Sequence, residues 1–213
     1  MDLSQQKNRI EYIDLAKGIC IIMVVMYHLA RYYDTSLLIN SYFKLIRLPL
    51  YFFLSGVFFK TYGGFFDFLK RKTNKLLIPF VFWYLLLSVA LPLVVYYGFG
   101  IVLDRTKDFT FWGSLTAFWT WEDFPNTAIW FLLCLFYVNL LFYLIHYVSS
   151  LIKGNQSVLI ISLSMVCGLI GFFLWQQKVN LPAYIDSAFT SVPFFLFWVF
   201  GEKPHNNNGI KSI

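Results

Sequence analysis

Long apolar runs separated by short polar stretches dominate the pattern of this chain. A helix needs about 20 apolar residues to cross a hydrocarbon core of about 30 Å. Two of the runs are interrupted, the second by Pro49 and the sixth by Pro193, and such breaks are tolerated where freed backbone groups face protein or a cavity. The pattern predicts an all-α, polytopic transmembrane bundle of about six helices, near 14–33, 42–60, 76–98, 127–150, 157–175 and 184–201.

The composition agrees with a membrane protein. Of 213 residues, 59% are hydrophobic and 13% are charged, whereas a soluble domain is about half apolar and about one-quarter charged. The net charge of +6 requires no nucleic-acid partner, because Lys and Arg at helix ends near anionic lipid account for it. We interpret the first apolar run as a retained helix, since no small-residue cleavage site follows it.

Lys and Arg are distributed unequally between the two sets of loops. Eleven lie in the N-terminal segment, the connections 60–75 and 151–156 and the tail, and six lie on the opposite side. Because cytoplasmic loops are enriched in these residues, both termini are predicted to be cytoplasmic. The largest contribution comes from Lys70 to Lys75, which we expect to end a loop. The long outer connection, 99–126, is rich in aromatic residues that either stack on sugars or form an interfacial belt.

Lys17 and His28 fall in one apolar run, eleven residues apart. Eleven residues make almost three helical turns, so both side chains are expected on nearly the same face, roughly 16 Å apart along the axis. An ionisable residue inside a membrane is a functional-site hypothesis, and histidine exchanges protons near neutral pH. The alternatives are a snorkelling lysine and a histidine that bonds between helices. Asp14 lies one turn before Lys17 and can pair with it.

Three further motifs are candidates for chemistry. Ser55 and Gly56 adjoin in an aromatic helix, where Ser55 either faces a substrate channel or allows close packing. The basic run from Lys70 to Lys75 is either a phosphate site or an orientation signal. Trp130 opens the fourth helix and is either part of a channel or an interfacial residue. No metal-ligand spacing is present, and the three cysteines are interpreted as packing residues rather than a disulfide framework.

In their order along the chain, these motifs resemble the bacterial integral-membrane acyltransferase family 3, whose members include O-acetylases of surface polysaccharides. The resemblance covers about residues 9–201 and leaves 202–213 as a polar tail. Its motifs are the basic residue and histidine at Lys17 and His28, FFxSG at Phe52–Gly56, the basic run at Arg71–Pro79, WFL at Trp130–Leu132 and the sixth-helix pattern at Pro193–Phe195.

Two features depart from the family pattern. Lys17 stands where arginine is commoner, which weakens bidentate recognition of phosphate. Family members also have more helices than the six predicted here. We therefore expect a C-terminally truncated member, and whether such a chain is active alone stays open.

The resemblance implies transfer of an acyl group, usually acetyl, from acetyl-CoA or another acyl-CoA to a hydroxyl of a cell-surface or exported carbohydrate. It also implies a multi-pass protein of the bacterial inner membrane. The alternatives are a transporter of lipid-linked glycans and a catalytically inactive fragment. The acceptor sugar, the acyl chain and the oligomeric state stay open. The implied site residues are His28 and Lys17 for catalysis, with His28 as base or acyl carrier, Arg71, Lys72 and Lys75 for the phosphates of coenzyme A, and Asp14, Ser55 and Trp130 for the substrate channel.

Overall fold

The computed structural model describes residues 11–32, 48–100, 112–113, 129–179, 181 and 184–196, which are mainly helical and contain no β-strand. Most of the predicted outer connection 99–126 and the polar tail 202–213 lie outside these residues. The all-α architecture predicted from the sequence is confirmed. The main helices are α1 (Glu11–Tyr32), α2 (48–56), α3 (from Phe65), α4 (Trp130–Leu151), α5 (Gln156–Gln176) and α6 (Ile185–Ser191), which continues as a 3₁₀ segment, Val192–Leu196.

Three of the described helices are long and apolar enough to cross a membrane. They are Phe65–Leu93 in α3, Trp130–Leu151 and Gln156–Gln176. Two shorter apolar stretches are Leu15–Tyr27 in α1 and Ile185–Leu196 at α6. The chain is therefore a multi-pass membrane protein.

The second helix is shorter at its C-terminal end than the prediction of 42–60. It ends at Gly56, and two tight backbone bonds follow, from Phe58 N to Ser55 O (3.3 Å) and from Phe59 N to Gly56 O (2.9 Å). These three-residue closures tighten the last turn and satisfy carbonyls that a helix end leaves unpaired. Residues 42–47 of the predicted span lie outside the described part.

The basic run from Lys70 to Lys75 is helical, so its prediction as a loop is wrong. α3 begins at Phe65, well before the predicted start at 76. Lys and Arg are good helix formers, and Asp67 pairs with Arg71 one turn later at 3.1 Å. Phe68 is fully buried and its ring lies 4.5 Å from that of Tyr143 on α4. This packing extends the helix beyond the apolar run that the sequence pattern detects.

The hydrogen-bond register of α3 widens immediately before two prolines. The π-helical segments Thr73–Leu77 and Leu85–Ala90 precede Ile78-Pro79 and Leu91-Pro92. Ile78 donates its N–H to Thr73 O, and Leu91 donates to Leu86 O. Proline has no N–H to donate, and π-helical turns are a known local response inside α-helices. The sequence thus continues as one long helix through both prolines.

The structure divides into two compact units, residues 1–59 with 194–213 and residues 60–193. The core of the first unit contains Cys20 of α1 and Leu54 of α2. The partly buried residues around them repeat at helical spacing on α1, at Ala16 and Met23, so one face of α1 packs against α2. This interface fixes which face of α1 meets α2, and therefore where on α1 the side chain of Lys17 lies.

The core of the second unit contains Leu133 of α4 and Ile129, which immediately precedes α4, in a cluster with Phe80 and Tyr84 of α3. Asn139, buried in α4, donates its side-chain N–H to Leu135 O at 2.7 Å. An intrahelical partner of this kind removes the cost of burying an amide.

Helices α5 and α6 approach closely through small residues. A Cβ atom added at Gly168 would lie 2.6 Å from Pro193 Cγ, and one at Gly171 would lie 2.6 Å from Thr190 N. Small residues are the usual means of close helix packing in membranes. The contact fixes the position of α6 against α5.

Candidate functional site

Lys17 is held against an aromatic ring in the first unit. Its side chain is half-buried, and its Nζ atom lies 4.0 Å from the centroid of the Phe58 ring. Phe58 follows the end of α2, in the turn that closes on Ser55 O. A cation over an aromatic face is attracted by the ring quadrupole, by about 0.5–1 kcal/mol when exposed and about 2 kcal/mol when desolvated. The interaction keeps a positive charge at an apolar helix pair.

His28 lies on the same unbroken helix as Lys17, because α1 runs from Glu11 to Tyr32. Because the helix is continuous, the predicted register holds. The backbone positions of Lys17 and His28 are therefore separated by roughly 20° around the helix axis. The side chains of His28 and Asp14 lie outside the described part. The predicted pairing of Asp14 with Lys17 therefore stays a prediction.

Ser55 and Gly56 occupy a closely packed turn of α2. A Cβ atom at Gly56 would lie 2.8 Å from Phe195 O, so glycine is required by the backbone that passes it. The Phe59 and Phe195 rings meet edge to face at 6.4 Å. Ser55 is half-buried, and its backbone carbonyl accepts the bond that begins the turn toward Phe58. The motif therefore positions the ring under Lys17, and a channel role for Ser55 stays a prediction.

The structure brings Arg71, Lys72 and Lys75 together within two turns of α3. Arg71 Nε donates to both carboxylate oxygens of Asp67, at 3.1 and 3.2 Å, and its guanidinium lies 4.8 Å from the centroid of the Tyr62 ring. Lys72 Nζ lies 5.5 Å from the Phe68 ring.

Lys75 differs from its two basic neighbours in its surroundings. It is exposed and belongs to the first π-helical segment. Arg71 is exposed as well but forms an ion pair with Asp67. The two exposed cations are accessible from solvent, and cations of this kind can form charge-assisted hydrogen bonds to an anion.

Trp130 lies at the opposite end of α4 from this basic segment. The basic segment meets α4 through Phe68 and Tyr143, and Tyr143 is thirteen residues beyond Trp130. Thirteen residues of helix are roughly 20 Å. The Trp130 ring lies 5.3 Å from the ring of Tyr184, with an interplanar angle of 39°.

Tyr184, whose ring meets that of Trp130, and Asp186 two residues later were not predicted from sequence patterns. Tyr184 has left-handed backbone angles, φ 58° and ψ 30°, at the start of α6. Asp186 lies in the first turn of that helix, within electrostatic range of Tyr184 and of Cys134 on α4. A carboxylate within the predicted span 184–201 was the available signal, since acidic residues in membrane spans are costly and usually functional. No local pattern indicates the backbone angles of Tyr184.

The class of protein follows from these features: a helical, multi-pass membrane protein with cations and a histidine on its membrane helices. A family model described as an acyltransferase domain, that of acyltransferase family 3, matches residues 10–203. The chain belongs to this family, as its motifs predicted, and the family implies acyltransferase activity in general. Neither a curated protein nor a solved structure matches the chain.

Proposed function

We propose that this protein is a membrane O-acyltransferase that moves an acyl group, in the simplest case acetyl, from acyl-CoA to a hydroxyl of a cell-surface or exported carbohydrate. The family match supports acyl transfer. The observation that carries the proposal is the unbroken α1 helix, which keeps Lys17 and His28 on one side of a single rigid element.

The distance between the two residues separates their roles. At roughly 16 Å along the axis, Lys17 and His28 do not act on the same atom. A coenzyme A thioester is a long donor, with its phosphates at one end and its reactive carbonyl at the other. In the proposed arrangement Lys17 binds the charged end, and His28 acts at the thioester and the acceptor hydroxyl.

His28 acts as the general base in this reaction. The imidazole takes the proton of the acceptor hydroxyl while that oxygen attacks the thioester carbonyl, and the carbon–sulfur bond then breaks. The imidazolium returns the proton to the departing coenzyme A thiolate, so the enzyme ends unchanged. A positioned general base typically contributes about 10²–10⁴-fold to rate.

The basic segment of α3 is a separate cluster of cations that attracts the anionic donor. Lys75 and Arg71 are exposed. The Tyr62 ring contacts the Arg71 guanidinium, and the Phe68 ring lies close to the Lys72 ammonium. A membrane-surface helix that carries several cations attracts polyanions over about a Debye length. Donor capture is therefore proposed to depend on ionic strength.

The experiment follows label from [acetyl-¹⁴C]acetyl-CoA in membranes that contain this protein and a mixture of neutral glycans. The expected result is alkali-labile label on carbohydrate that disappears with His28→Ala. Absence of any His28-dependent label contradicts the proposal. Movement of a lipid-linked glycan across vesicles, without acyl transfer, would instead identify a transporter.

A further inference from the structure

An aromatic pair joins two helices of the second unit. Trp130 begins α4 and Tyr184 immediately precedes α6. Their ring centroids are 5.3 Å apart and the ring planes are inclined at 39°. Both side chains are half-buried, so neither ring is enclosed in the core. The pair presents aromatic surface at one end of the bundle.

Tyr184 has a strained backbone for a bulky residue. Its φ of 58° lies in the left-handed region, which costs roughly 1 kcal/mol or more for a residue with a Cβ atom. Tyr184 also packs on the cluster of Tyr84, Ile129 and Leu133. The surrounding packing thus holds the ring beside Trp130 at an energetic cost, and such strain is concentrated at functional sites.

A carboxylate lies two residues after Tyr184. Asp186 is half-buried in the first turn of α6, and it interacts electrostatically with Tyr184. Among the described residues, Asp186 has neither an ion pair nor a hydrogen bond. A carboxylate at the edge of a membrane helix is costly unless a ligand or water uses it.

The position of this group matches the acceptor side of the proposed reaction. It lies roughly 20 Å along α4 from the ring contact that anchors the basic segment. The charge distribution predicts that the basic segment is cytoplasmic and that the Trp130 end is external. A donor that binds at one end and an acceptor that binds at the other would meet within the membrane.

We propose that Trp130, Tyr184 and Asp186 form a carbohydrate-binding subsite that holds the acceptor. This proposal rests on the proposed function of acyl transfer. The aromatic faces pack against the C–H face of a pyranose ring, and the Asp186 carboxylate accepts hydrogen bonds from sugar hydroxyls. A negative charge at this position repels anionic lipid headgroups and anionic sugars, so the subsite selects a neutral glycan.

The test measures glycan binding without any acyl donor. Protein in lipid nanodiscs is titrated with neutral tetrasaccharides of glucose, of N-acetylglucosamine and of mannose, and binding is followed by saturation-transfer NMR. Asp186→Asn is expected to weaken binding by about ten-fold or more, the loss typical of a charge-assisted bond. Trp130→Leu is expected to weaken it by a similar factor through loss of the aromatic face. Tyr184→Phe should preserve it, since the ring is retained.

Matched variants separate the subsite from general effects on aromatic residues and on folding. Trp175, 72% exposed and 6.0 Å from the Phe172 ring, belongs to an aromatic pair on α5, so Trp175→Leu should leave binding unchanged. Tyr184→Gly removes the ring and should abolish binding, and a cooperative thermal unfolding transition of this variant shows that the loss is not a loss of fold.

Each result decides the question. Absence of binding by the unaltered protein, or equal binding by all variants, overturns the subsite. If His28-dependent label transfer occurs but glycan binding is unchanged by substitution of these three residues, the proposed function stands and the subsite is wrong. If binding depends on them but no acyl transfer occurs, the subsite stands and the proposed function is wrong.

Discussion

The Nζ atom of Lys17 lies 4.0 Å from the centroid of the Phe58 ring, so an aromatic face from one helix end holds the cation of another helix. The geometry makes the two residues act together on donor binding. Lys17→Gln and Phe58→Leu should each raise the KM for acyl-CoA, Phe58→Leu by roughly two- to five-fold from the loss of about 0.5–1 kcal/mol. The double variant should be no worse than Lys17→Gln alone, as expected for coupled residues.

The control for this pair is Phe66→Leu. Phe66 is 84% exposed and belongs to the same aromatic-rich region of the sequence. Its replacement should leave the KM unchanged. Additive effects of Lys17→Gln and Phe58→Leu would show that the ring does not position the ammonium.

His28→Ala should abolish acyl transfer while the amount of protein in the membrane stays near normal. Loss of a positioned general base typically costs about 10²–10⁴-fold. The assay is incorporation of labelled acetyl into glycan, normalised to protein by immunoblot. His146→Ala, at a half-buried histidine of α4, is the matched control and should retain transfer. Wild-type rates for His28→Ala would identify His28 as a packing residue.

Lys75→Gln should raise the KM for acyl-CoA without changing the preference among glycan acceptors. Lys75 is exposed on the basic segment, and an exposed cation binds phosphate through screened electrostatics. The difference between the variant and the unaltered protein should therefore shrink as salt increases. Lys153→Gln removes an exposed cation from the turn between α4 and α5 and should have no effect. Altered glycan preference in Lys75→Gln would refute the donor assignment.

Gly56→Ala should lower the midpoint of thermal unfolding in detergent micelles. The new Cβ atom would lie 2.8 Å from Phe195 O, and relief requires movement of backbone, at a typical cost of about 1–3 kcal/mol. Gly18→Ala is the matched control, because no atom lies within 4 Å of its added Cβ. That change should maintain or raise stability through helix propensity. Equal midpoints for Gly56→Ala and the unaltered protein would mean that the close approach is absent in the membrane.

Lys153 and Gln177 should lie on opposite sides of the membrane. They are exposed residues next to the two ends of α5, which is long and apolar enough to span. Lys153→Cys should react with an impermeant maleimide only after cell lysis, and Gln177→Cys should react in intact cells. The natural cysteines Cys20 and Cys134 are buried, whereas Cys167 is half-buried in α5, so the unaltered protein is labelled in parallel to measure background. Labelling of Lys153→Cys in intact cells would reverse the predicted orientation.

The helices and their approximate positions were predictable from sequence because a membrane span is a local property. The helices α1, α4 and α5 each depend on one apolar run, and their observed bounds lie close to the predicted ones. The shared face of Lys17 and His28 has the same origin, since helical register follows from residue count alone. The basic segment at Lys70 was misassigned because an apolar pattern does not detect the polar first turns of a helix.

Contacts between distant parts of the chain were decided only by the tertiary structure. The requirement for glycine at Gly56 comes from the Phe195 backbone, and the ring beneath Lys17 comes from the turn after α2. The Trp130 and Tyr184 rings are more than fifty positions apart in sequence and meet through the packing of α4 against α6. Sequence patterns specify which residues enter the membrane and at what register. Pairing of those residues depends on how complete helices pack, and on a backbone conformation at Tyr184 that local preference disfavours.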